Sequence, residues 1–99
     1  MKGKISFTFS ASIWKYSGPG GWNFVSLPQN LSLEIRNNLK DLEEGWGRMK
    51  VWASIVDLEW ETAIWFDTKQ NTYLLPLKSE IRKKGKREEG QEVEVKIWI

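Results

Sequence analysis

Glu59 and Glu61 stand two residues apart in a stretch that reads as strand, so their carboxylates face the same way. Their separation falls within the roughly 5–10 Å that glycoside hydrolysis spans across a cleft. The same spacing describes any solvated strand face, and nothing in the sequence supplies a cleft. Gly18-Pro19-Gly20-Gly21 is the other chemical suggestion, as a phosphate cradle. Such loops feed a helix N-terminus and carry a Lys-Ser/Thr pair. This one runs into a strand beginning at Trp22 and reads as a hairpin loop. The chain has no Cys and no His. Disulfides, Cys/His zinc sites, thiolate nucleophiles and Ser-His-Asp relays are therefore absent. No Ser-Lys or carboxylate motif replaces them. The expectation is a protein that is not an enzyme, with no cofactor and no metal site. An accessible pocket holding Glu59 or Glu61 with a convergent Lys or Arg is the arrangement that would favour catalysis.

Two other sets of residues point to binding. Lys78, Arg82, Lys83, Lys84, Lys86 and Arg87 crowd ten positions with Glu80 as the single acid among them. Six phosphate contacts would give a strongly salt-dependent affinity for nucleic acid. Glu88, Glu89, Glu92 and Glu94 follow directly, however, and a two-turn helix cannot line up all six cations on one face. The net charge of +2 implies no polyanionic partner by itself. The second set comes from seven Trp in 99 residues. Trp60 alternates in phase with core residues, whereas Trp14, Trp52, Trp65 and Trp98 alternate out of phase. Each ring covers ~150–250 Å². Four on one face would approach or exceed the ~300–600 Å² of a typical monomer's largest apolar patch. They are the favoured binding face, with Leu31, Leu33, Ile35 and Leu39 expected to cover about half of them.

The elements that must position these residues follow from periodicity. Ile5, Phe7, Phe9, Ala11 and Ile13 alternate with Ser6, Thr8, Ser10 and Ser12, which predicts a half-buried strand. Further strands are predicted over 22–27, 49–55, 58–66, 73–77 and 93–99. Leu31, Ile35, Leu39 and Leu42 predict an amphipathic helix after Pro28, and Ser79 to Gly85 a second, shorter one. The basic N-terminus leads into Ser-rich alternation instead of an apolar signal core, and no run reaches the ~18 residues of a membrane span. A cysteine-free chain suits a reducing compartment, so the expected location is cytoplasmic.

The two halves share an order of elements and some residues, notably Leu27-Pro28 with Leu75-Pro76 and Ile35-Arg36 with Ile81-Arg82. The segment Leu77 to Val95 resembles the swapped-hairpin repeat of AbrB- and MazE-type regulators and antitoxins, in which two chains each give half a barrel and basic residues face DNA. Over nearly its whole length the chain more closely resembles the bacterial domain of unknown function 1905 family. The matching stretches are "IWKYSGPGGWNFVSLP", "GWGRMKV", "YLLPLKSEIRKKG" and "EGQEVEVKI". That resemblance implies a compact, internally duplicated barrel akin to a double-split barrel. Some members join or neighbour a YdeI/OmpD-associated domain linked to bacteriocin protection. It brings no activity and no catalytic residues. Gln91 replaces the usual Asp of the turn after Gly90, and Val56-Asp57 replaces a Gly-containing turn, which implies a bulged or extended junction there.

The fold class expected is mainly β: one domain over 1–99, a small six-stranded, internally duplicated ββαβ barrel with two short helices and pseudo-repeats over 4–57 and 58–99. The expected role is a non-enzymatic binding or accessory module, monomeric or weakly dimeric, using the exposed aromatic face. The runner-up is an AbrB-like nucleic-acid binder using residues 78–87.

Overall fold

The computed structural model describes residues 2–56, 58–85 and 88–99. The chain is mainly β with two short helices. In order it forms β1 (Ser6–Ser12), β2 (Trp14–Lys15), β3 (Asn23–Ser26), α1 (Gln29–Leu39), two 3-10 turns, β4 (Arg48–Ile55), β5 (Leu58–Asp67), β6 (Thr72–Leu77), α2 (Ser79–Gly85) and β7 (Glu92–Trp98). The strands make one antiparallel sheet in the order β1-β7-β4-β5-β6-β3-β2. There are seven strands, not the six expected, because the first alternating run is divided. Ile13 is buried, donates its N–H to the Gln91 carbonyl (2.9 Å) and accepts from the Gly90 N–H (2.7 Å). The next residue, Trp14, already pairs with Phe24 in β3. Consecutive strands therefore occupy the two ends of the sheet, and the sheet curls into a barrel-like shape.

The inward residues are the alternating sets read from the sequence. Phe9, Val25, Met49, Val51, Ile64, Tyr73, Leu75, Val95 and Ile97 are buried in one cluster, which Ile35 of α1 closes and Leu31 and Leu39 flank. The helix stops at Leu39. Leu42 lies beyond it in a 3-10 turn and is 53% exposed, so it does not extend the apolar stripe as expected. Ser32 takes a buried place on the helix instead. Its hydroxyl accepts the Tyr73 N–H (3.0 Å) and donates to the Leu27 carbonyl (3.5 Å), tying α1 to β6 and to the end of β3.

The β4–β5 connection corrects another expectation. Ile55 pairs with Leu58, so the junction is a tight two-residue turn, neither bulged nor extended. Val56 sits in it with φ +56° and 74% exposed; Asp57 lies outside the described residues. Left-handed backbone is disfavoured for a β-branched side chain. At the other departure, the Gln91 side-chain oxygen accepts the Glu88 N–H (3.2 Å) and the Gln91 N–H donates to the Glu88 carbonyl (3.1 Å), which closes the turn around Gly90 without an Asp.

Two outcomes follow. Val56→Asn relieves about 1 kcal/mol of backbone strain and raises Tm by about 4–8 °C in a thermal melt followed by circular dichroism. The second concerns Tyr73, whose buried ring meets Phe66 edge-on at 5.0 Å and whose hydroxyl donates to Glu43 Oε2 at 3.1 Å. Burial, then the Glu43 charge, pushes the phenol well above its ordinary value. A raised native pKa means stability that is intact below the unfolded phenol's pKa of about 10 and is lost as pH climbs past it. Tyr73→Phe costs about 1–2 kcal/mol at pH 7, and urea unfolding at pH 10.5 shows that deficit shrinking.

Candidate binding cleft

Outward residues on six neighbouring strands line an open cleft of about 1170 Å³. Its shape originates in the hydrogen-bond ladders. β5 pairs with β4 from Leu58 to Trp65 but with β6 only from Trp65 to Asp67. β6 then leaves to pair with β3 from Leu74 to Leu77. Trp65 stands where the ladders part, opposite Arg48 on one side and Leu74 on the other. Below it the sheet has two arms. Trp52 and Trp98, direct cross-strand partners, belong to one; Trp14, Trp22 and Phe24 belong to the other. Val51 and Thr62, from the inward phase, also line the cleft, so it reaches toward the core between the arms.

Local contacts hold the rings. The Trp14 indole N–H donates to Ser26 Oγ at 2.9 Å, and its ring lies 5.2 Å from Phe24. Phe24 in turn stacks with Trp22 at 6.5 Å and 22°. The glycine loop serves this arrangement: Gly20 has φ +95°, and a Cβ there would come within 3.0 Å of the Trp22 ring. The Tyr16 N–H donates to the Trp22 carbonyl at 2.8 Å, closing the loop as a hairpin.

Charges are distributed through the aromatic lining. Arg48, Lys50, Lys69 and Lys78 face two carboxylates, Glu61 and Asp67. The Arg48 guanidinium lies 5.7 Å from the Trp65 ring centroid and pairs with Glu44, which also holds Lys50 at 3.7 Å. At the other arm, Lys2 (4.4 Å) and Lys96 (5.1 Å) approach the Trp98 ring. Lys2 also pairs with Glu59 at 2.7 Å. That hydrogen bond, more than the charges of Lys2 and Lys96, holds the Glu59 carboxyl below its usual range. The Trp52 indole N–H lies beside the same carboxyl without closing a hydrogen bond of good geometry.

All four sequence candidates, Trp14, Trp52, Trp65 and Trp98, line this one cleft. No residue of α1 or α2 does, and Leu31, Ile35 and Leu39 pack on the core side while Leu33 is exposed. The expectation that helices cover some of the rings is corrected, because α1 packs on the core and neither helix lines the cleft. Of the basic set, Lys78 lines the cleft, and Arg82 lines a smaller adjoining cavity of about 310 Å³ that shares Trp22 and Lys78. Arg82 Nε is buried without a hydrogen-bond partner. Lys83 is exposed and lines neither cavity; the Lys84 side chain, Lys86 and Arg87 lie outside the described residues. The sequence reading missed Tyr16, Trp22, Phe24 and the cations of β4. The available signal was Trp22 and Phe24 alternating with the inward Asn23 and Val25.

Glu61 does line the cleft, as do Lys50 and Lys78, whereas Glu59 does not. The cleft's second carboxylate, Asp67, is six residues along the same strand, about 20 Å away at ~3.3 Å per residue, too far to act as an acid–base pair with Glu61. Among the described residues no three His, Cys, Asp or Glu side chains cluster to hold a metal, and no helix is long and apolar enough to cross a membrane.

Residues 9–97 match the profile of a family described as Domain of unknown function (DUF1905), and the chain belongs to that family. No curated protein matches it.

Exposure differs among the cleft rings: Trp22 is 49% and Trp65 40% exposed, while Trp14 is half-buried and tethered to Ser26. Trp22→Phe and Trp65→Phe each remove more of the iodide-quenchable fluorescence than Trp14→Phe, measured by Stern–Volmer titration of the single variants.

Proposed function

We propose that this member of the family is a binding module and not an enzyme, holding an extended ligand along the aromatic cleft. The observation that carries the reading is the convergence of Trp14, Trp52, Trp65 and Trp98 on one cleft that neither helix covers. Large apolar rings left in contact with water forgo the stabilisation that burial supplies, so a concentration of them on one face points to a partner.

Internal duplication belongs to the same proposal and sharpens it. Overlaying the halves sends the pair Phe9–Val95 onto Thr62–Val51 and Trp14–Phe24 onto Asp67–Thr72. Ala53–Ile97 and Ser26–Leu74 map onto themselves, as pairs on a pseudo-two-fold axis do. The same overlay matches Leu27-Pro28 with Leu75-Pro76. It matches Trp65 with Ser12, Trp52 with Lys96 and Trp98 with Ser54. A barrel that required tryptophan at these places would carry it in both halves. At each place the opposite half manages with Ser or Lys, which supports a role for the rings outside folding. One chain then supplies both halves, consistent with a monomer or a weak dimer through exposed Trp, and the cysteine-free sequence suits the cytoplasm.

The test follows indole N–H resonances in ¹H–¹⁵N spectra while oligosaccharides, single-stranded oligonucleotides and short peptides are titrated in separately. One class moves the Trp52 and Trp65 signals and leaves Trp60, which packs against the core, in place. Trp65→Ala abolishes the effect with an unchanged circular dichroism spectrum. Indole signals unmoved by every class at millimolar concentration overturn the reading.

A further inference from the structure

We infer that the ligand of the cleft is single-stranded nucleic acid, an inference that rests on the cleft being the binding site. Three features select that chemistry. The rings form separate stations, with Trp65 at the parting of the ladders, Trp52 on one arm and Trp14 with Phe24 on the other. Every unpaired base offers a π-face to such platforms, whereas bases inside a duplex are already stacked on their neighbours.

Second, positive charge is in excess in the cleft. Arg48, Lys50, Lys69 and Lys78 outnumber Glu61 and Asp67. An uncharged oligosaccharide or an apolar peptide gains nothing from that excess, while a phosphodiester backbone does. The cations also continue past the cleft. Lys78 and Trp22 are shared with the adjoining cavity, whose lining includes Arg82. A backbone leaving the cleft beside Lys78 reaches that guanidinium. The aromatic set and the basic set, separate in sequence, thus meet at Lys78. Arg48 and Lys50 share Glu44, so the net attraction is modest and exposed to salt.

Third, the volume is large. About 1170 Å³ exceeds the ~300–1,000 Å³ of a pocket for one drug-sized molecule, and a second cavity adjoins the cleft. It accommodates a short run of nucleotides better than a single one.

The experiment uses the full chain and four probes: oligo(dT) of eight nucleotides, a G·C-rich duplex long enough to stay paired at 20 mM NaCl, inorganic polyphosphate and cellohexaose. Binding is read by indole fluorescence and by anisotropy of labelled oligo(dT) between 20 and 200 mM NaCl. The expected result is oligo(dT) binding that quenches indole emission, with duplex at least tenfold weaker. The slope of log K against log salt is about −2 to −3, three to four phosphates at ~0.7 each. Trp65→Ala weakens oligo(dT) binding by roughly tenfold or more, and Lys78→Gln makes the slope shallower by about 0.7. Thermal melts of both variants show that they remain folded, and Lys78→Gln, a surface change, tests the proposal should Trp65→Ala unfold the chain. No oligo(dT) binding at 20 mM NaCl overturns the inference, as does duplex binding of equal strength. Equal competition by polyphosphate with Trp65→Ala inert also overturns it, leaving charge alone. If cellohexaose moves the indoles and oligo(dT) does not, the ligand class falls and the cleft reading stands; if no probe moves them, both fall.

Discussion

β5 divides its backbone hydrogen bonds between two neighbours. Most of the strand is committed to β4, and only its last three residues pair with β6. A backbone group that leaves one partner must find another, and β6 does so by crossing to β3. The barrel-like curl, the two arms and the cleft between them follow from that division. Trp65 is paired on both sides at the branch point, so its ring projects where the sheet opens. Were β5 and β6 paired throughout, the same face would be a continuous ladder and the same side chains would cover it as a flat patch.

The opposite end of the sheet solves its edge problem differently. The first alternating run changes partner at Ile13, passing from β7 to β3 while Ile13 itself stays in the core. An edge strand is a template for unwanted pairing, and here one stretch of chain supplies both edge strands, the second only two residues long. The cost falls on the loop that follows, where Gly20 and Gly21 take positive φ so that Trp22 can fold back beside Phe24. At Gly20 the aromatic neighbour Trp22 leaves no room for a side chain.

Much was legible beforehand because the pleat is local. Successive side chains on a strand alternate whatever the rest of the chain does, so the inward phases of β1, β4, β6 and β7 and the outward phase of Trp14, Trp52, Trp65 and Trp98 could be assigned from spacing alone. The helix stripe was legible up to Leu39 and failed at Leu42, because the 3-10 turn after α1 abandons the 3.6-residue period. The role of Ser32 was not legible, since its burial depends on Tyr73, 41 positions away. Trp22 and Phe24 were overlooked because glycine-rich punctuation on one side and Pro28 on the other left too short a run to show its phase.

The sequence by itself determined the fold class, the membership of most of the core and the face on which four tryptophans stand, because each of these depends on backbone geometry over a few residues. It could also set out the basic segment as a composition. Only the tertiary structure decided that the four rings share one cleft, that Tyr16, Trp22 and Phe24 join them, and that one lysine of the basic segment, Lys78, sits among them. Those facts depend on which strands are neighbours and where a ladder parts. Hydrogen bonds between residues far apart in the chain set both, and no local period encodes them.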